Sequence, residues 1–505
     1  LDLCQEGVDY LLGDAPEGPA APRNFGGAER GARSELIALG RRERDLAILR
    51  DPRAYRNPDR YRRAVHGLNS AMRALGRAHA AVPTLADYHE TSRRPQRRTD
   101  LLEAAAAYDE NLYYPLFSRR IAAELEAAPE ESIGISLTFF GQALCAFAIV
   151  GFIRSRWPSL RIVLGGGLVT SWIAQGSLAR SDTFGGLIDR LVQGRGEDPL
   201  AEWLGLPGKA PSVAPDFSDF ASLRYIAPTL ILPYNFSWGC PWMRCSFCPE
   251  RAEKSSYSAV SADEAGHQVA QLVDAFGPGL LHFTDNEISP LHLRSLAARP
   301  PGAAWYGFAR FTPHLADRGF CRALAASGCV MLQLGLESAD QSLLDTLDKG
   351  ITLDLVAAAL RALSEASIAV YLYLLFGTPQ ENRDSALRTR DFVAAQAPKI
   401  AFLNAAVFAM PIAGPDAAVL SSHPFYEGDL SLYRDFDHPE GWDRSHVRRF
   451  LSEEFEGISE IRRISLRTPP VFTSSHDAFF LEQMQPGLAP GQGSAYPERV
   501  ERRDC

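Results

Sequence analysis

The chain has no long hydrophobic run. Its longest, Ala143 to Ile153, falls well short of the ~20 apolar residues that cross a bilayer, and it reads as a buried helix. No basic segment followed by an apolar one stands near the start, so no signal peptide is expected. Cysteine is scarce, 8 in 505 residues, which argues against a secreted domain stapled by disulfides. Positive charge is not in excess. The 52 Lys and Arg against 61 Asp and Glu leave a formal net charge of −9, which argues against a protein that holds nucleic acid by its phosphates. No internal repeat is found, and no low-complexity block outside the tail. What remains, 46% hydrophobic and 22% charged, describes an ordinary globular chain long enough for two or three domains. The expected location is the cytoplasm, with no membrane and no nucleic-acid partner.

Against that scarcity, three cysteines gather in one segment, Ser237-Trp-Gly-Cys-Pro-Trp-Met-Arg-Cys-Ser-Phe-Cys-Pro-Glu250. Thiolates this close can share one metal centre. A [4Fe–4S] cluster held by Cys240, Cys245 and Cys248 alone would keep one iron open for a ligand, which is a catalytic arrangement rather than one for electron transfer only. Gly239 and Pro241 keep the segment out of helix and strand, so the sulfurs converge from a loop. A zinc knuckle would want a fourth Cys or His nearby, and the next candidate, His267, is distant.

On this motif the sequence resembles the radical S-adenosylmethionine (SAM) enzymes. Their usual cysteine spacing is three residues, then two, with an aromatic before the last cysteine, which Phe247 matches. The first gap here, Pro241 to Arg244, is one residue longer than usual.

Earlier in the chain, residues 1–130 carry helical patterns around Glu35–Leu49, Pro58–Ala78, Asp100–Ala107 and Tyr114–Ala128. Arg60, Arg62, Arg63 and Arg73 read as a solvated helix face. Gly13–Gly31 reads as a loop. From Ser132 the pattern becomes strand, helix, strand. Ile133 to Phe139 alternates, a helix follows over Gly141 to Arg156, and Leu160–Leu164 runs into Gly165-Gly-Gly167. A third strand over Gly186–Val192 ends at Gly194-Arg-Gly-Glu197. This is a doubly wound α/β layout, in which ligands sit outside the carboxyl ends of the strands. The combination resembles the cobalamin-binding domain that precedes the catalytic domain in one class of radical SAM enzymes. The resemblance implies a Rossmann-like domain over 131–204, with Ser136, Thr138 and Gln142 at the cofactor's tail. It also implies backbone contacts at Gly165, Gly166, Gly167 and Gly194, with Glu197 closing the domain. The histidine motif that supplies an axial ligand in many cobalamin proteins is missing, since no histidine occurs between His89 and His267.

Residues 205–233, rich in proline, read as a linker. After the cysteines, strands over 279–283, 304–309, 330–335, 369–375, 400–404 and 406–410 alternate with helices and end in polar or glycine residues. A parallel βα barrel places reactive groups at such ends, so 234–420 is expected to be a partial (βα)6 barrel. By resemblance, Asp285, Asn286 and Glu287 would hold the SAM amino group, Arg310 would lie at the third strand, and Glu337 and Ser338 would lie near the methionyl group and ribose. Gly377 would sit at the fifth strand, and Met410 near the adenine. Cys145 and Cys329 read as core. Residues 421–483 are expected to be a small α/β extension, with the polar-aromatic stretch Ser421–Asp443 read as a surface loop, and 484–505 a disordered tail.

The fold class expected is therefore α/β. The activity implied is reductive cleavage of SAM to a 5′-deoxyadenosyl radical, with cobalamin-dependent C-methylation of an unactivated carbon in a small molecule or peptide. A flavodoxin or ferredoxin would be the reductant. A non-methylating rearrangement, epimerisation or oxidation with the same cofactors stays open, as does a non-catalytic iron–sulfur sensor.

Overall fold

The computed structural model describes residues 1–13, 30–128, 130–180, 182–208, 213–220, 223–469 and 476–481. The tail expected over 484–505 and most of the loop expected over 13–31 lie outside them.

Six parallel strands form the centre: Ile231–Tyr234, Leu280–Phe283, Trp305–Ala309, Cys329–Glu337, Ala369–Phe376 and Phe402–Val407. Each pairs with the next in chain order, and the first and last do not pair with one another. The sheet is therefore an open, partial barrel. Alternation assigns its faces. Leu281, Phe283, Trp305, Leu332, Leu334, Val370, Leu372, Leu374 and Leu403 share one core with the intervening helices Ala262–Phe276, Pro290–Ala298, Arg318–Ala326, Leu353–Glu365 and Arg383–Gln396. Each such fully buried side chain contributes roughly 1.5–3 kcal/mol. Leu280, Tyr306, Met331, Ala369, Tyr371 and Phe402 belong to a second core, shared with the N-terminal region. The helices have clear start signals: Ser261, Ser289, Asp317, Thr352 and Asn382 each accept a backbone N–H from the first turn.

The count of six parallel strands matches the reading of the sequence, but their identities differ. The first strand, Ile231–Tyr234, lies in the proline-rich stretch read as linker. Pro233 is tolerated because the strand is at an edge. At the far end, the two strands read over 400–410 are one, Phe402–Val407. Met410–Pro411 instead joins a separate antiparallel sheet with Tyr433–Phe436 and Ser422–Pro424. The stretch read as a surface loop thus supplies two of that sheet's strands, which nonlocal pairing decided.

The N-terminal region has helices Leu3–Leu12, Arg30–Leu39, Arg42–Arg50, Pro58–Gly76, Arg98–Ala106 and Tyr114–Ala127, and a short hairpin of 81–83 with 88–90. Pro58–Gly76 starts on Asn57, whose side chain accepts from the Arg60 N–H, with Pro58 in the first turn. It buries Tyr61, Val65, Leu68, Met72 and Leu75 at helical spacing and leaves its arginines exposed or half-exposed.

A smaller sheet joins Ser132–Ser136, Arg161–Gly165 and Arg190–Leu191, all parallel, with helix Phe140–Arg156 crossing between the first two. The third strand is shorter than the sequence pattern over 186–192 predicts. Gly185 and Gly186, at φ 69° and 90°, hold its expected start in a turn. Among the described residues no helix is long and apolar enough to cross a membrane.

Candidate active site

The cysteine loop leaves the carboxyl end of the first barrel strand. It is fastened to the segment after the fourth strand: the Trp242 indole donates to the Asp348 carbonyl at 2.8 Å, Ser246 N–H to the Leu347 carbonyl at 3.0 Å, and Arg244 pairs with Asp348 at 3.0 Å. Trp242 lies where a Cβ on Gly350 would stand, 2.2 Å from the ring, so glycine is required there. The longer first gap is absorbed by Met243, which takes a left-handed φ of 49°. That turn directs the backbone N–H groups of Trp242 and Met243 at the Cys240 sulfur. The N–H groups of Glu250 and Arg251, in the short helix Pro249–Ala252, point at the Cys248 sulfur. Such donors favour thiolate, while burial pushes all three thiols up, Cys248 to about 11. Near Cys245 the charges of Lys349 and Arg310 oppose that rise. Among the described residues, no three His, Cys, Asp or Glu side chains are arranged to hold a single metal ion. A cubane differs in taking each thiolate at a different iron, and three thiols with N–H and cationic neighbours are a donor set that fits it.

Beside the sulfurs stands a compact set of charges. Cys240 Sγ lies 3.4 Å from Glu287, Arg310 lies 3.6 Å from Glu287 and 3.8 Å from Cys245 Sγ, and Lys349 lies 2.7 Å from Glu337. Glu287 and Lys349 are buried, and Arg310 and Glu337 nearly so. Glu337 has φ 67°, at a bulge that ends the fourth strand. The bulge turns its carboxylate over Gly335, where a Cβ would meet Glu337 Oε1 at 2.4 Å and Lys349 Nζ at 2.8 Å. Two carboxylates and two cations at the sheet's carboxyl ends are what an amino acid's ammonium and carboxylate require. Lys349 was missed by the sequence reading. Its signal was there: a lone lysine beside a glycine, between the helix Gln341–Thr346 that follows the Glu337 strand and the next helix, Leu353–Glu365.

The other candidates divide. Asp285 is buried and accepts from the Phe236 N–H at 3.0 Å and the Ser237 hydroxyl at 2.5 Å, so both oxygens hold the start of the cysteine loop. Asn286 is exposed. Ser338 is buried against Thr389 at 3.1 Å, away from Glu337. Gly377 has φ 82°, and its N–H donates to Glu381, a fully buried carboxyl pushed up to about 8 by burial. Met410 packs with Phe408 and Phe436, and Phe247 of the cysteine loop lies on that cluster.

The candidates in the smaller sheet share one edge. Ser136, Thr138, Gly167, Gly194 and Glu197 are exposed at the strands' carboxyl ends, beside half-buried Gly165 and Gly166. Gly166, at φ 100°, lets the two loops touch: a Cβ there would meet Leu137 O at 2.5 Å. Gln142 accepts the N–H groups of Thr138 at 2.9 Å and Phe139 at 3.1 Å, and so orders the turn. This edge reaches the cysteine loop. The Arg195 guanidinium lies over the Trp238 ring, 3.6 Å from its centre, two residues before Cys240. Gln175 adds a hydrogen bond to Glu253 at 3.1 Å.

Residues 234–393 match the Radical SAM superfamily. That stretch thus carries a radical SAM domain, which implies a [4Fe–4S] cluster and SAM. Its fold is shared with the cobalamin-dependent SAM radical enzyme OxsB, solved with aqua-cobalamin, at TM-score 0.53 and 14% identity over 67% of this chain and 60% of that one. It is also similar to the radical SAM methyltransferase TsrM from Kitasatospora setae, solved with tryptophan substrate and the SAM analogue aza-SAM. That match has TM-score 0.50 and 16% identity over 72% of this chain and 86% of that one. Among curated proteins it is similar to the anaerobic magnesium-protoporphyrin IX monomethyl ester cyclase of Cereibacter sphaeroides, 25% identical over 185 residues, which are 34% of this chain and 30% of the cyclase. The chain thus matches less than a third of the cyclase's length.

Proposed function

We propose that the protein is a cobalamin-dependent radical SAM methyltransferase that methylates an unactivated carbon of a small molecule or peptide. The observation that carries this reading is the contact between the two edges: Arg195 joins the glycine-lined end of the smaller sheet to the cysteine loop. Cobalamin held at the first edge would face SAM held at the second.

Cys240, Cys245 and Cys248 would hold the cluster. When bound, the cluster supplies the electron that cleaves the SAM carbon–sulfur bond, and cobalamin supplies the methyl group. The surrounding residues bind and orient. Cys240, as a free thiol, donates to Glu287. With Cys240 as a thiolate ligand that hydrogen bond would be absent, and Glu287 would be left to receive the SAM ammonium. Glu337 adds a second carboxylate, and Arg310 and Lys349 receive the SAM carboxylate. Phe247 and Met410 wall the site and keep water from it. Ser136, Thr138, Gly165, Gly166, Gly167, Gly194 and Glu197 form the cobalamin edge. No histidine between His89 and His267 is available as an axial ligand from this sheet. A ferredoxin or flavodoxin is the proposed electron donor, and the cytoplasm the proposed location.

The relative named a cyclase favours a second reading, the same cofactors without methyl transfer. The test is anaerobic analysis of iron, sulfide and retained cobalamin, followed by product mass. About four irons per chain with bound cobalamin and a product heavier by one CH2 support methylation. Cluster and SAM cleavage without that mass gain support the second reading. Zinc without iron overturns both.

A further inference from the structure

Residues 436–442 leave the antiparallel sheet and cross the carboxyl end of the fifth barrel strand on the way to the helix Arg444–Phe450. Both ends of this segment are rooted in packed clusters. Phe436 is buried with Met410 and Phe408, its ring 5.9 Å from that of Phe408, and Phe247 of the cysteine loop packs on the same cluster. Trp442 is buried in the barrel core, its ring 5.6 Å from that of Phe450. Between these anchors Asp437, Pro439, Glu440 and Gly441 are exposed, and only His438 is half-buried. The middle of the segment therefore gains little from apolar burial and depends on hydrogen bonds.

His438 makes the central fastening. Its Nε2 lies 2.9 Å from the Thr378 carbonyl, just past the end of the fifth strand. Its Nδ1 accepts the N–H groups of Glu440 at 3.1 Å and Trp442 at 3.2 Å. Two donors aimed at Nδ1 leave no place for a proton there, so Nε2 carries the ring's proton and donates it to Thr378. The three bonds thus require the neutral ring in one tautomer. A second proton would turn Nδ1 into a donor facing two N–H groups and forfeit both bonds. Burial opposes that proton, while the Thr378 carbonyl, Glu440 and Asp443 favour it, and burial prevails. Across the contact the fifth-strand turn brings Glu381, which accepts from the Gly377 N–H and, at 3.1 Å, from the Trp442 indole. The helix that follows brings Arg444, which donates to the Phe408 carbonyl.

We propose that His438 is a positioning residue: neutral, it fastens residues 436–442 as a strap that keeps Phe436 in the cluster with Met410 and Phe247, and protonated, it releases the strap and slackens that wall of the SAM site. The wall's part in binding SAM rests on the radical SAM reading, whereas the strap does not. The open form binds the proton and the closed form does not. The strap is therefore fully closed above the ordinary imidazole value of about 6.5 and opens progressively as pH falls below it.

The test is amide hydrogen exchange over residues 436–443 of the anaerobically reconstituted holoprotein, read by mass spectrometry from about pH 5 to about pH 8 and corrected for the intrinsic pH dependence of exchange. The Kd for SAM is measured on the same samples. In the parent, protection of the segment is expected to fall by up to about tenfold per pH unit below about 6.5. His438→Asn keeps an acceptor near the Nδ1 position and takes no proton, so its protection should not vary with pH. Between about pH 7.5 and about pH 5.5 the parent should lose about threefold more SAM affinity than His438→Asn, the worth of one aromatic contact. Should His438→Asn not fold, His438→Gln, which keeps a donor for Thr378 and also takes no proton, serves in its place. Protection in the parent that ignores pH, or an equal slope in the variant, overturns the strap. A strap that opens while the parent's SAM affinity follows the variant's overturns the positioning role. A titrating strap in a protein that binds no SAM at any pH refutes the radical SAM reading and keeps the strap; SAM binding beside a strap that does not titrate does the reverse.

Discussion

Lys349 offers the sharpest test of the charge set beside the cysteines. Its ammonium is 2.7 Å from Glu337, with side-chain exposures of 8% and 13%. At that distance and an effective dielectric of about 20, the Coulomb attraction is about 6 kcal/mol. Desolvation of both ions offsets part of this, and removing one partner of such a pair costs roughly 3–5 kcal/mol, because the other is left buried and uncompensated. Lys349 also counters Glu287, so Lys349→Met leaves two buried carboxylates facing Arg310 alone. The expectation is a loss of roughly 3–5 kcal/mol in Lys349→Met. The double variant with Glu337→Gln should be more stable than the sum of the singles by at least about 2 kcal/mol. Anaerobic denaturant unfolding followed by tryptophan fluorescence reads both quantities, and SAM cleavage on reconstituted protein reads the functional loss. Lys349→Met within about 0.5 kcal/mol of the parent, or singles that simply add, would refute the account of a buried coupled pair.

Gly335→Ala pushes a methyl group onto the ends of Glu337 and Lys349. Since both are flexible side chains, stability should fall by no more than about 1–3 kcal/mol. SAM cleavage should be largely lost, and full cleavage would contradict the placement of that pair. Met243→Gly should keep the cluster and gain up to about 1 kcal/mol by relieving the left-handed turn, whereas Met243→Val should lower iron content. Equal iron in all three proteins counts against the turn's role. Glu381, whose folded pKa is raised by burial from 4.5 to about 8, binds a proton more tightly folded than unfolded. Its contribution to stability is therefore complete below about 4.5 and lost as pH rises through about 8. Melting temperatures across that window should fall more steeply for the parent than for Glu381→Gln, and parallel slopes would show that the carboxyl does not titrate there.

Much of the site was legible because it is local. The cysteines, Phe247 and the Glu337 strand end stand in short motifs, and strands ending in polar residues reveal themselves by alternation. Glu287 and Arg310 were legible for the same reason. Asp285, two residues before Glu287, is instead spent on holding the start of the cysteine loop, and Ser338, next to Glu337, on Thr389. A spacing pattern reports a strand end, but not which side chain wins the opening.

What the sequence by itself determined is the chemistry available: three thiols on one loop, a parallel α/β order, and acids and bases at strand ends. These follow from periodicity and residue type, which act over a few residues. The tertiary structure alone decided which distant groups meet. It laid Arg195 on Trp238, set Lys349 against Glu337, turned Ile231–Tyr234 from linker into the first strand, and brought His476 against Tyr55 and Tyr61. Each of those contacts joins segments whose separation along the chain carries no periodic signal. They form only when burying two cores fixes the remote segments in place.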